Sequence, residues 1–354
     1  MKDRLESLNF VRTLAFLGVL SYHMNLTMAG AWSVTVFFVL SGFLLTYNYF
    51  DRPMEDPPTL KGGLRFSMGK IKKLYPLHLL SLAVPLSISL FGILTHRAIA
   101  DKFYLARVLA NALLLQSLVP DQEWYFAFNA QSWYLSATMF IYICFPFILR
   151  RVKKLRSRRH ALAVLIGLVL FQGCAVKILT GFITKQYFSG WLGYIFPGTR
   201  AVDFSVGCCA AYLFINRGER KLSPGLATVT ELMVLAVNVG VELLYKNNCI
   251  PKYLRNSTAY IIPAVLLVYV FALAEGYISR LTANKVTAFL ARHSSNMYLI
   301  HAAVIQLASI ALERVPQDFS VKKYIFLAAV PSMSIIASVL WQKTEQGIRN
   351  RKKA

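Results

Sequence analysis

Long runs of apolar residues alternate with short polar segments along the whole chain. The runs are about 18–24 residues long, which is the length of helix that crosses roughly 30 Å of hydrocarbon. A backbone inside lipid must satisfy its own hydrogen bonds, so each run is predicted to be an α-helix. The predicted spans are 9–28, 31–50, 74–94, 131–149, 161–181, 198–215, 226–245, 258–276, 294–313 and 324–343. The pattern predicts an all-α, polytopic bundle of about ten transmembrane helices.

The charges of the connecting loops orient these spans. Membrane proteins keep an excess of Lys and Arg in cytoplasmic loops, so 150–159 (RRVKKLRSRR) and 52–73 are both predicted to be cytoplasmic. These two assignments leave no room for a full crossing at 104–118, which is predicted to be re-entrant or interfacial on the outer side. Both termini are then cytoplasmic, and 1–354 is predicted to form a single integral membrane domain.

Composition agrees with a membrane protein, since 56% of the residues are hydrophobic and 16% are charged. The net charge of +23 would indicate nucleic-acid binding in a soluble protein. Here the basic loops account for it, and no nucleic-acid partner is predicted. The five cysteines form no CxxC motif, so neither a disulfide framework nor a metal site is predicted. The first span carries Arg12 and His23 and is predicted to be retained rather than cleaved as a signal peptide.

Ionisable side chains inside the spans are the candidates for chemistry, because each costs about 2.5–3.5 kcal/mol in lipid. Arg12 and His23 lie eleven residues apart in the first span, about 16 Å along a helix and close to one face. Either residue alone has a structural explanation, as a snorkelling arginine or a hydrogen-bonded core histidine. The pair on one face favours a functional site. His301 is either a structural hydrogen bonder or a second wall of the His23 cavity.

Two further pairs are open to a structural or a functional interpretation. Arg200 and Asp203, at i and i+3, form either an ion pair or part of a substrate site, and Gly207 one turn later permits close helix approach. Lys70 and Lys73 are either orienting loop charges or a phosphate-binding cluster beside Arg12.

Six segments appear in order along nearly the whole chain: LNFVRTLAFLGVLSYH, VTVFFVLSGFLLTYNY, KIKKLYPLH, QSWYLSATMFIYICFPFIL, RAVDFSVG and HSSNMYLIH. Together they resemble the motifs of the acyltransferase-3 family. Members of that family are integral membrane enzymes that transfer acyl groups, most often acetyl, to hydroxyls of bacterial surface or exported carbohydrates. The resemblance implies a multi-pass protein of the bacterial cell membrane that works without a metal.

The resemblance also implies roles for individual residues. The donor is expected to be acetyl-CoA or another acyl-CoA from the cytoplasm, with its phosphates bound by Arg12, Lys70 and Lys73. His23 is expected to act as general base or as a transient acyl-carrying nucleophile, with Arg12 and His301 completing the catalytic set. The residues expected to contact the carbohydrate or glycolipid acceptor are Trp133, Tyr134, Arg200, Asp203 and Tyr298.

The chain departs from the family pattern at two places. Lys70 and Lys73 stand where the family usually has arginines, which keeps the charge but loses bidentate phosphate binding. Thr138 stands where the family tends to have Glu. Two alternatives therefore stay open: a transporter or flippase for a lipid-linked glycan, and a non-catalytic member of the family.

Overall fold

The computed structural model describes residues 5–183, 186–219, 221–256, 258–314, 316 and 319–351. These residues form helices and contain no β-strand. The helices are α1 (Leu8–His23), α2 (Gly30–Tyr49), α3 (Leu60–Ile71), α4 (Tyr75–Leu94), α5 (Tyr104–Ala112), α6 (Gln122–Tyr125), α7 (Trp133–Lys153), α8 (Arg158–Phe182), α9 (Gln186–Gly190), α10 (Pro197–Ile215), α11 (Pro224–Lys246), α12 (Thr258–Leu273), α13 (Tyr277–Thr282), α14 (Lys285–Glu313) and α15 (Phe319–Arg351). Short 3₁₀ turns cover Gln116–Leu118 and Ala130–Ser132, and a π-helical turn covers Trp191–Ile195.

Every predicted span coincides with a helix. Within the part of the chain that the structure describes, seven helices are long and apolar enough to cross a membrane, namely α2, α4, α7, α8, α11, α14 and α15. These helices support a multi-pass membrane protein. Of the other three predicted spans, α1 and α12 have only 16 residues each, and α10 carries the buried pair Arg200 and Asp203. The total of ten crossings and the cytoplasmic placement of both ends stay predictions.

The centre of the bundle is the contact between α2 and α10. A Cβ atom on Gly42 would lie 2.0 Å from the carbonyl oxygen of Phe204, and one on Gly207 would lie 2.1 Å from that of Val39. Only glycine lets the two backbones come this close. The close helix approach predicted at Gly207 is therefore confirmed, and buried side chains of α1 and α12 pack around the same pair of helices.

Helix α3 corrects the prediction that 52–73 is simply a loop. Gly63, Ser67 and Ile71 recur every four residues and form a buried stripe on α3. This stripe packs on α7, where the Ser67 hydroxyl donates a hydrogen bond of 2.7 Å to the carbonyl oxygen of Met139. Thr59 caps the start of the helix. The packing carries the end of α3, with its lysines, to the side of α7.

The segment 104–118 is anchored by buried polar groups. Its helix α5 has nine residues, about 14 Å, which is too short for a crossing. Fully buried Asn111 accepts a hydrogen bond at its backbone carbonyl from His78, while Gln116 donates to Ser132 at 2.9 Å. The hydroxyls of Ser117 and Ser136 bond at 2.6 Å. These bonds fix the start of α7, which lines the candidate site described next.

Candidate active site

A cavity of about 450 Å³ lies among α1, α2, α3, α7 and α14. We call it the basic cavity because its lining includes Arg12, Lys70 and Lys73. The three cations come from separate elements: Arg12 from the second turn of α1, Lys70 from the last turn of α3, and Lys73 from the residues after it. The structure therefore brings together the three residues that the sequence predicted as a phosphate-binding group. The volume is within the range of small-molecule sites, about 300–1,000 Å³.

The charge of the basic cavity is not balanced by acidic groups. No Asp or Glu lines it among the described residues, and Arg12 has no carboxylate partner there. Lys70 donates a hydrogen bond of 2.9 Å to the Tyr49 hydroxyl and lies over the rings of Tyr49 and Phe66. These contacts orient the ammonium group without neutralising it. The cavity is thus suited to an anionic ligand.

A second cavity, of about 1390 Å³, contains His23 in its lining. We call it the large cavity. It lies between α1 and α11, with Trp32 of α2 and Leu267 of α12 also in its lining. Arg12 and His23, which are on one helix and close to one face, therefore line different cavities.

Tyr298 is the residue that lines both cavities. Its ring lies 5.2 Å from that of Tyr134 and 6.2 Å from that of Phe37, both of which line the basic cavity. Its ring also lies 5.7 Å from that of His301, which lines neither cavity. We call the three aromatic rings, of which Tyr298 lines both cavities, the partition between the basic cavity and the large cavity.

His301 lies against His23, with 5.1 Å between the ring centroids. The Nδ1 atom of fully buried His301 bonds the carbonyl oxygens of Tyr298 at 2.8 Å and Met297 at 3.2 Å. Carbonyl oxygens only accept, so Nδ1 carries the proton and Nε2 carries the lone pair. No described protein group bonds Nε2. The structure therefore provides a histidine pair in which one ring is held in a fixed tautomer.

Trp133 lines the large cavity and Tyr134 the basic cavity, so these two predicted substrate residues lie on opposite sides of the partition. They are adjacent at the first turn of α7, where successive side chains point in different directions. Thr138, one turn later, lines the basic cavity at the position where the motif comparison expects Glu.

Arg200 and Asp203 form the ion pair that the sequence left open. They are joined at 2.6 Å, and both are fully buried. Arg200 also donates to the carbonyl oxygens of Gly193, Tyr194 and Asn256. Its remaining bond goes to Thr35 on α2, and Gln172 donates to Asp203. Neither side chain lines either cavity. These contacts indicate a structural role, because the pair links α10 to α2 and to the backbone carbonyls of neighbouring segments. The predicted role of the pair in binding substrate stays a prediction.

The large cavity also contains polar residues that the sequence reasoning did not select. Asn238, Glu242 and Lys246 recur every four residues on α11 and line this cavity with His23. Asn238 accepts a hydrogen bond of 2.7 Å from the indole nitrogen of Trp32. Two of these residues, Asn238 and Glu242, lie one turn apart in the predicted span 226–245 and Lys246 follows directly after it, a spacing that could have indicated the polar face.

Comparison with known proteins gives matches along most of the chain. Residues 5–341 match the model of a family described as an acyltransferase domain. The acyltransferase MdmB of Streptomyces mycarofaciens is 28% identical over an aligned length of 332 residues, and the match covers 86% of this chain and 79% of the relative. No solved structure matches the chain.

Two further relatives are larger proteins. Peptidoglycan O-acetyltransferase OatA of Listeria monocytogenes is 25% identical over an aligned length of 341 residues, and the match covers 87% of this chain and 50% of the relative. Putative peptidoglycan O-acetyltransferase YrhL of Bacillus subtilis is 24% identical over an aligned length of 333 residues, and the match covers 86% of this chain and 49% of the relative. The chain thus spans about half the length of these two proteins.

Proposed function

The chain belongs to the acyltransferase family whose model covers its residues 5–341, and we propose that it is a membrane O-acetyltransferase. It takes an acetyl group from acetyl-CoA and transfers it to a hydroxyl of a carbohydrate acceptor at the bacterial cell membrane. The names of two relatives, a peptidoglycan O-acetyltransferase and a putative peptidoglycan O-acetyltransferase, support the acceptor class. The uncompensated cations of the basic cavity support the donor.

In the donor half of this proposal, the phosphates of CoA lie against Lys70, Lys73 and Arg12. Lysine binds phosphate as a point charge, so the substitution of Lys for the family's Arg keeps the attraction. The thioester end of the donor points away from the lysines, toward the partition at Tyr298. His301 lies 5.7 Å from that ring and 5.1 Å from the ring of His23.

In the chemical half, a histidine takes the proton of the acceptor hydroxyl as its oxygen attacks the thioester carbonyl. The new C–O bond forms and the C–S bond breaks. The thiolate of CoA leaves and is protonated, so the products are an ester and free CoA. His23 is the residue that meets the acceptor, because it lines the large cavity. His301 packs against it with a fixed tautomer and supports the proton transfer.

A single observation carries the proposal: Tyr298 lines both the cation-lined basic cavity and the large cavity that His23 lines. A donor with an anionic body and a small acyl group matches the first cavity, and a hydroxyl acceptor matches the second. Thr138 provides no carboxylate in the basic cavity, so proton transfer in this proposal rests on the histidines alone.

The test uses the purified protein in lipid vesicles with acetyl-CoA labelled in the acetyl group. His23→Ala is expected to lower the rate of transfer by about 10²–10⁴-fold, the usual effect of losing a general base. The matched control is His160→Ala, because His160 is exposed near the start of α8 and lines neither cavity. Free CoA and the acetylated acceptor are measured in the same reaction.

Normal transfer by the His23→Ala protein would contradict the proposal. Vesicles that move a lipid-linked glycan without consuming acetyl-CoA would support a flippase instead. Acid quenching during turnover separates the two histidine roles, since acetyl label retained on the wild-type protein and lost in His23→Ala indicates an acyl-enzyme.

A further inference from the structure

The walls of the large cavity have a feature that the transfer reaction alone does not require. Helix α1 packs on α2, α12 and α14, while α11 packs on α12 and α13. Both helices contribute lining residues to the large cavity, so they face each other across a groove. Several lining residues on these walls are also on the outer surface of the bundle: Leu17 is 47% exposed, Val239 is 59% exposed and Leu243 is 53% exposed.

The polar lining residues concentrate towards one end of this groove. The half nearer the start of α1 is lined by Leu14, Leu17, Leu235 and Val239, with Asn238 as its polar member. The other end carries His23, Asn25, Gln131, Glu242 and Lys246, with Leu243 beside Glu242 as an apolar neighbour. In a protein that spans a membrane, exposed apolar side chains between helices face the hydrocarbon, whereas polar ones mark a functional path.

We propose that the large cavity is a lateral furrow that binds an amphiphilic acceptor, with its apolar chain between α1 and α11 and its hydroxylated head at His23. This inference rests on the proposed function and narrows its acceptor from any carbohydrate to one attached to a lipid chain. A soluble sugar has no alkyl chain, so it would gain no free energy of apolar burial from Leu17, Val239 and Leu243. An alkyl chain packed against these side chains would remove both their apolar surface and its own from water.

The polar groups at the other end of the furrow match a sugar head. Glu242 has an oxygen that no described group bonds, and Lys246 lies one turn further along the same helix. A carboxylate and an ammonium together can accept from and donate to neighbouring hydroxyls. Asn238 lies one turn before Glu242 on α11 and is fixed by three hydrogen bonds. It accepts from the indole nitrogen of Trp32 and donates to the carbonyl oxygens of Val234 and Pro263.

The test uses dodecyl glucoside carrying a diazirine midway along its alkyl chain. The protein is illuminated in phosphatidylcholine vesicles without a donor, and the labelled residues are identified by peptide mass spectrometry. Labelling is expected to concentrate on Leu17, Val239 and Leu243 and to fall when excess unlabelled dodecyl glucoside is added. The comparison surface is α8, where Leu170 and Phe171 are 63% and 64% exposed but line neither cavity.

A matched pair of variants on α11 sharpens the test. Leu243 lines the furrow and is 53% exposed, while its neighbour Leu244 is 49% exposed and does not line it. The indole ring of Leu243→Trp fills the furrow, so labelling of the furrow residues by the probe is expected to fall about tenfold. Losing the burial of roughly two methylene groups of the alkyl chain has an effect of this size. Leu244→Trp is expected to leave labelling unchanged.

Labelling as dense on α8 as in the furrow, or equal labelling of the two variants, would overturn the inference. Acetyl transfer is measured separately on the same samples. If glucose and dodecyl glucoside had equal KM values and no furrow residue were labelled, the furrow inference would be contradicted. The proposed function would still be supported. Furrow labelling without acetyl transfer to any acceptor would support the amphiphile site and contradict the proposed function.

Discussion

At the scale of single residues, His301 uses one ring nitrogen to bond the backbone of its own helix. This bond fixes which nitrogen holds the lone pair and leaves it in a fully buried position beside His23. The sequence identified both histidines as candidates because each is ionisable within a span. It offered His301 as a possible second wall of the His23 cavity, and the two rings do lie 5.1 Å apart. His301 itself lines neither cavity, because the packing of α1 on α14 buries it completely.

In the proposed mechanism, Tyr298 selects which acyl groups reach His23, because it lines both cavities. Tyr298→Ala is expected to open the partition and raise the rate with hexanoyl-CoA relative to acetyl-CoA by about tenfold or more, since each extra methylene in a pocket is worth about 10–200-fold in discrimination. The measurement is the initial rate with each donor.

Tyr298→Phe is the control for that prediction. It keeps the ring and loses only the hydroxyl, whose contact with the Gln131 carbonyl oxygen is a long 3.4 Å. The relative rates with the two donors should stay those of the wild type. An unchanged preference in the alanine variant would show that the partition does not select the acyl group.

At the scale of elements, the contact between α2 and α10 makes a stability prediction. Gly207→Ala places a methyl group against the backbone of α2, so we expect a loss of about 1–3 kcal/mol in the free energy of unfolding. The control is Gly167→Ala in the interior of α8, where a Cβ atom would meet nothing within 4 Å. Thermal unfolding in detergent checks both, and equal midpoints would contradict the close packing.

Helices differ in how well the sequence predicts them. The long apolar runs could be assigned from length and hydropathy alone, and all of them are helices. Helix α3 could not, since its twelve residues include only a short stripe of small and apolar side chains, Gly63, Ser67 and Ile71. Its position depends on the complementary surface of α7. Lys70 and Lys73 reach the basic cavity because of that contact.

At the scale of the whole molecule, the described part of the chain is a helical bundle in which the basic cavity and the large cavity share Tyr298 as a lining residue. The sequence predicted the residues of the basic cavity as a group, because Arg12, Lys70 and Lys73 were expected at the same face of the membrane. It did not predict that His23 would line a separate space. A cavity forms where neighbouring helices do not pack against each other. The pattern of polar and apolar residues in one sequence describes each helix separately, so it does not predict the spaces between helices.

The division into two cavities predicts that donor and acceptor approach from different sides. The most direct test reconstitutes the protein in sealed vesicles in a single orientation and supplies labelled acetyl-CoA to one face at a time, with acceptor present in the membrane. Label is expected to reach the acceptor when acetyl-CoA is on the face of Lys70 and Lys73. Equal transfer from both faces, or transfer only from the face nearer His23, would contradict the two-cavity mechanism.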